Sequence, residues 1–123
     1  MTESEFWDFL NRQKAEYPAK IYAGSVQLNG LESSQAGDYM TGHALLPANY
    51  DKLPLTKILE IGELLFRKNI TIKTKEAVLM LLAHIPDKEA LALLAKYNEN
   101  PDEKLRFFAE MAQEECEFWN ETP

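Results

Sequence analysis

The chain is poor in the residues that make cross-links: 123 residues contain one cysteine, Cys116, and two histidines, His43 and His84. A lone thiol excludes an internal disulfide and leads us to expect a reducing compartment, the cytoplasm. The histidines form no H-E-x-x-H arrangement and have no second cysteine beside them, so a conventional zinc site lacks ligands by count. Neither a metal nor a cofactor is expected. Positive charge is also scarce, 13 Lys and Arg against 20 Asp and Glu, and the resulting net charge of -7 repels a phosphate backbone. This argues against a nucleic-acid partner. The longest apolar run, Ala77 to Ala83, is far below the roughly 20 residues that span a bilayer. Met1-Thr2-Glu3-Ser4-Glu5 has no basic signal-peptide start, so no membrane partner is expected. Gly24 and Gly30 match neither nucleotide-binding pattern, and no Gly-Lys-Ser/Thr follows.

Hydrophobic residues make up 46% of the chain, enough for one core at this length and too little chain for two. We therefore expect a single domain over 1–123, with an N-terminal helix in 1–17, an irregular glycine-containing segment over 18–51, and packed helices over 52–119. The first helix opens at Ser4 as N-cap, carries Phe6, Trp7, Phe9 and Leu10, and stops before Pro18. Between Pro18 and Asp51 the periodicity is weak. Residues 21–28 read as a short strand or a helical turn, and Leu45-Leu46-Pro47 as an anchored bend.

From Pro54 the pattern becomes helical. A second helix runs through Ile58, Ile61, Leu64 and Phe66 to Arg67-Lys68-Asn69. A third begins between Thr71 and Thr74 and ends before Pro86; being apolar almost all round, it should be the central buried helix. Asp87 caps a fourth with Ala90, Leu91, Leu94 and Tyr97, and the short turn before it makes helices three and four antiparallel. Asn100, Pro101 and Glu103 form a capping-box variant that launches the fifth.

The stretch Pro101-Asp102-Glu103-Lys104-Leu105-Arg106-Phe107-Phe108-Ala109-Glu110-Met111-Ala112 resembles the first helix of a HEAT-like repeat, and Ile85 to Leu94 resembles the second helix of a preceding unit. A shift of 29 residues pairs Leu79 with Phe108, Met80 with Ala109, Leu82 with Met111, Ala83 with Ala112 and Leu65 with Leu94. The resemblance covers about 54–119. Where the last unit has Asp102 and Arg106, the previous one has Lys73 and Ala77, so the acidic-basic ladder of that family does not carry over. The implied fold is all-α, about five helices in an antiparallel HEAT-like stack. The implied role is that of a scaffold or adaptor, with a minority of such domains serving nucleic-acid or tetrapyrrole chemistry.

His84 follows an apolar helix, where an imidazole meets last-turn carbonyls. His43 lies just after Asp38 and Tyr39, three groups able to transfer protons if a loop gathers them. Cys116 reads as a small packing residue in acidic surroundings that oppose thiolate formation. Glu110, Glu114, Glu115, Glu117 and Glu121 read as a solvated face. Arg67, Lys68, Lys73 and Lys75 form the concentrated positive segment, either helix-end complementarity or a docking patch for an acidic partner. The last helix carries two apolar stripes, Leu105, Phe108, Ala112, Cys116 and Trp119 on one side and Phe107, Met111 and Phe118 on another. Either the N-terminal helix covers the excess, or the stripe serves a partner or self-association.

The leading functional expectation is a noncatalytic protein-binding module, with Phe107, Met111, Phe118 and Trp119 as contacts and homodimerisation through the last helix. The alternatives are a small enzyme or ligand-binding protein using Asp38, Tyr39 and His43 in the 22–50 segment, and an acidic regulatory or immunity-type inhibitor.

Overall fold

In the computed structural model, residues 1–17, Tyr39 and 41–121 are described; the reading of 21–28, and Asp38 with it, lies outside them. Helix α1 spans Glu3–Glu16. Its cap is Thr2 rather than Ser4, because Thr2 alone has a glutamate at the third helical position. The Thr2 hydroxyl accepts from the Glu5 amide at 3.1 Å, and the Glu5 carboxylate accepts from the Thr2 amide at 2.9 Å. Phe6 and Leu10, four apart, are the buried face of this helix.

Tyr39 and Thr41–Gly42 are helical and lead into a 3-10 turn, His43–Leu45, followed by a second, Tyr50–Lys52. A Cβ on Gly42 would stand 2.8 Å from the terminal methyl of Met80 and 3.5 Å from the Phe108 ring. Glycine here lets the backbone that carries Tyr39 and His43 settle closely on the core.

Helix α2, Leu55–Gly62, starts at Pro54, whose fixed φ suits a helix entrance. It is shorter than its apolar pattern implies. After Gly62 the chain tightens into a 3-10 turn, Glu63–Phe66, Arg67 is extended, and Asn69 takes a left-handed φ of 64° that asparagine tolerates better than most residues.

Helix α3, Ile72–Ala83, is capped by Thr71, which accepts from the Thr74 amide. Every residue from Ala77 to Ala83 is buried, as its all-round apolar pattern requires. Helix α4, Lys88–Asn98, is capped by Asp87, which accepts from the amides of Glu89 and Ala90. Helix α5, Arg106–Glu121, follows a 3-10 turn at Glu103–Leu105. The expected Asn100 cap does not form. Asp102 sits at that turn instead, and its carboxylate accepts from Lys75 and Tyr97.

Helix α3 packs on α2, α4 and α5, while α4 also packs on α2 and α5. The chain is therefore all-α among the described residues, with five helices of these bounds and no strand. Across this stack α5 is pinned to α4 by Asn98, which donates to the Ala109 carbonyl and to Gln113. At its other end, Asn120 donates to the Asp87 carbonyl.

Helix α1 is fastened to the start of α3 by a knot of polar groups. The Glu3 carboxylate accepts from the Thr71 amide at 3.1 Å, from the Thr71 hydroxyl at 2.6 Å and from the Thr74 hydroxyl. Trp7 Nε1 in turn donates to Thr74 Oγ1 at 2.8 Å, and Thr74 is fully buried. Replacing Thr74 with Val keeps the shape but leaves the indole N–H without its acceptor, a loss of about 1–3 kcal/mol in urea unfolding. Trp7→Phe introduced into Thr74→Val should cost clearly less than Trp7→Phe in the wild type, because the bond it removes is already gone.

Candidate functional site

Besides the knot at Glu3, Thr71 and Thr74, two places among the described residues gather polar side chains, and they lie at opposite ends of α3. The first is at its C-terminal end. His84 closes the helix with Nδ1 2.9 Å from the Met80 carbonyl oxygen, the helix-end contact expected of it. His43 makes the same contact to the Tyr39 carbonyl oxygen at 3.0 Å. Both rings direct Nε2 at Glu115 of α5, His84 at 2.7 Å from Oε2 and His43 at 3.5 Å from Oε1. The Tyr39 hydroxyl donates to Glu115 Oε1, and Trp119 Nε1 donates to Oε2 at 3.3 Å.

Aromatic rings enclose this centre. His43 and His84 stand edge to face with centroids 4.8 Å apart, Tyr39 stacks edge-on to His43 and to Phe108, and Tyr50 to His84. Burial alone would raise the Glu115 carboxyl, but its contacts with His43, His84 and Tyr39 outweigh that and hold it far below the usual carboxylate range. Burial, joined by the hydrogen bond to Glu115, raises Tyr39 well above an ordinary phenol. The phenol thus stays a donor and the carboxylate an acceptor. Such a centre can store a proton on an imidazole or present nitrogen and oxygen donors to a cation.

Tyr39 and His43, grouped in the sequence reading as a polar site, do come together; Asp38 lies outside the described residues. Glu115, which by its local sequence belongs to a solvated acidic face, is instead half-buried at the heart of the centre. Cys116 beside it is fully buried, its thiol donates to the Ile85 carbonyl oxygen at 3.3 Å, and burial pushes it up to about 11. It is a packing residue, as its surroundings implied.

The second place is a groove of about 480 Å³ at the N-terminal end of α3, where the α2–α3 and α4–α5 junctions lie side by side. Arg67, Lys68, Lys75 and Lys96 line it together with Phe66 and Tyr97. Lys73 is exposed and is not among the lining residues. Lys96 Nζ sits 4.7 Å from the centroid of the Phe66 ring, which is 37% exposed. Lys75 pairs with Asp102 at 2.8 Å. On α5, Phe107 and Met111 are half-buried, whereas Phe118 and Trp119 are exposed and stack on each other with centroids 5.1 Å apart. Trp119 therefore leaves the buried stripe to which its spacing assigned it.

Comparison with protein-family models, with curated proteins and with solved structures found no match to this chain.

The Asp102 knot sets a pH dependence. Lys75, and then Tyr97, hold the Asp102 carboxyl below its ordinary value, so its stabilising effect is complete above the unfolded aspartate value of about 3.9 and is lost as pH falls through the lower folded value. The melting temperature of Asp102→Asn should lie below that of the wild type at pH 6, and the gap should narrow progressively as the pH falls below the unfolded aspartate value of about 3.9. A gap unchanged across that range would exclude the carboxylate as its source.

Proposed function

We propose that this chain is a noncatalytic interaction module, a short HEAT-like helical stack that docks an acidic segment of a protein partner in the groove between its two inter-helix junctions. One observation carries the reading: in a chain of net charge -7, Arg67, Lys68 and Lys96, beside the Lys75–Asp102 pair, line one groove around an exposed aromatic ring and outnumber its remaining acidic residue, Glu99. Helix-end complementarity does not account for all of this charge, since Lys75 lies in the first turn of α3, where the helix dipole disfavours cations. Stacked repeats place successive junctions along one edge, and the groove is lined from both junctions. Fluid, salt-sensitive attraction of an acidic strand, anchored by an aromatic side chain against Phe66, is the mode this surface fits.

The test uses a fluorescent, aspartate- and glutamate-rich peptide with one central aromatic residue. Wild type should bind it, more weakly between 50 and 200 mM salt as screening grows, and Lys68→Glu/Lys96→Glu should weaken binding at least tenfold. Lys73→Glu, outside the groove, should leave it nearly unchanged. Equal effects of the two variants would reduce the attraction to net charge and overturn the groove. Loss on Phe118→Asp with binding intact in Lys68→Glu/Lys96→Glu would move the contact to the α5 face of Phe107, Met111, Phe118 and Trp119.

A further inference from the structure

A backbone carbonyl oxygen only accepts, so the contacts of His43 to Tyr39 and of His84 to Met80 place the ring hydrogen on Nδ1 in both histidines. The basic nitrogen of each ring is then Nε2, and both Nε2 atoms face oxygens of one carboxylate, at 3.5 and 2.7 Å. Neutral rings would set nitrogen lone pairs against oxygen lone pairs. A positive species between them removes the conflict. Two protons would create two imidazolium rings with centroids 4.8 Å apart, whereas one divalent cation satisfies all three groups without a second charged ring.

We propose that Nε2 of His43, Nε2 of His84 and the carboxylate of Glu115 form a binding site for a divalent first-row transition ion of the zinc class. The three donor atoms lie within 4.8 Å of one another. A tetrahedral ion with bonds of about 2.0–2.2 Å needs donors roughly 3.4 Å apart, so the short His84 contact must open and the widest separation close, each by about 1 Å of side-chain rotation. Two imidazoles with one carboxylate favour transition ions over magnesium or calcium, which take oxygen shells.

The surroundings are those of a held ligand set. Each ring is oriented by a carbonyl on its other nitrogen, and the carboxylate is oriented by Tyr39 and Trp119, the outer contacts that fix metal ligands. His84 is 6% exposed, but His43 and Glu115 are 21% and 22% exposed, which leaves a way in. Three protein ligands keep one tetrahedral position open for water or a small exogenous ligand. The inference is independent of the groove at the other end of α3.

Because the chain has only two histidines, long-range ¹H–¹⁵N NMR of the untagged wild-type protein reads both rings directly. Adding Zn²⁺ should shift both Nε2 resonances while Nδ1 keeps its hydrogen, and calorimetry should give one ion per chain. Magnesium should move neither resonance. His84→Ala, checked for retained helicity, should weaken zinc binding more than 100-fold, and Trp119→Phe, which removes an outer contact, by 10–100-fold. Zinc binding that leaves both Nε2 signals in place would mark an adventitious ion only and overturn the site. A response of a single ring, or an equal response to magnesium, would overturn it as well.

Discussion

The structure depends on the burial of one helix on every side. From Ala77 to Ala83 every residue of α3 is buried, so the chain must supply a cover for each face, and it does so with α2, α4, α5 and the 3-10 turn that follows Gly42. At about 25 cal/mol per Å² of apolar surface, burying Val78, Leu79, Met80, Leu81 and Leu82 contributes about 1.5–3 kcal/mol each. Taken together, these five exceed what any single polar contact described above contributes. Polar chemistry near α3 is thereby confined to its two ends. Thr71, Thr74 and Lys75 occupy one end, and His84 the other, of a helix about 18 Å long at 1.5 Å per residue over twelve residues.

That confinement accounts for much of what the sequence reveals and what it hides. The all-round apolar run of α3, the Asp87 cap and the Thr71 start are local signals, and they produce helices where local rules place them. Of the two misplaced starts, the first loses to a local rival and the last is decided by the assembled chain. Thr2 displaces Ser4 through its pairing with Glu5, and Asp102 gives up capping for Lys75, a residue 27 positions away in sequence. The centre at His43, His84 and Glu115 is less legible still. Its members are 41 and 31 residues apart in sequence, with no short motif to join them, and Glu115 carries the same local signature as its exposed neighbours Glu114 and Glu117. The available hints were two four-residue spacings, Tyr39 to His43 and Glu115 to Trp119, each placing two polar rings or a ring and a carboxylate on one helical face.

The basic groove shows the opposite balance. Arg67, Lys68 and Lys75 are visible as a cluster because both flanks of one junction are basic, but Lys96 joins them only because the next junction stacks alongside. Lys73, two residues before Lys75, faces elsewhere. A charge run in sequence thus resolves into residues that converge and one that does not, since neighbours two apart on a helix point in different directions.

The two polar ends of α3 also differ in how they satisfy charge. At the groove, Lys75 and Asp102 neutralise each other directly, Tyr97 completes the knot, and the remaining cations stay on the surface, where water and salt screen them. At the centre, one carboxylate faces two imidazoles, a phenol and an indole, so several polar groups of different elements share a single acceptor. Each imidazole is oriented by a carbonyl contact, His43 to Tyr39 and His84 to Met80, and Tyr39 in turn packs edge-on against Phe108. The core therefore holds these polar groups together, and the stability that α3 provides is what makes such a concentration of them sustainable.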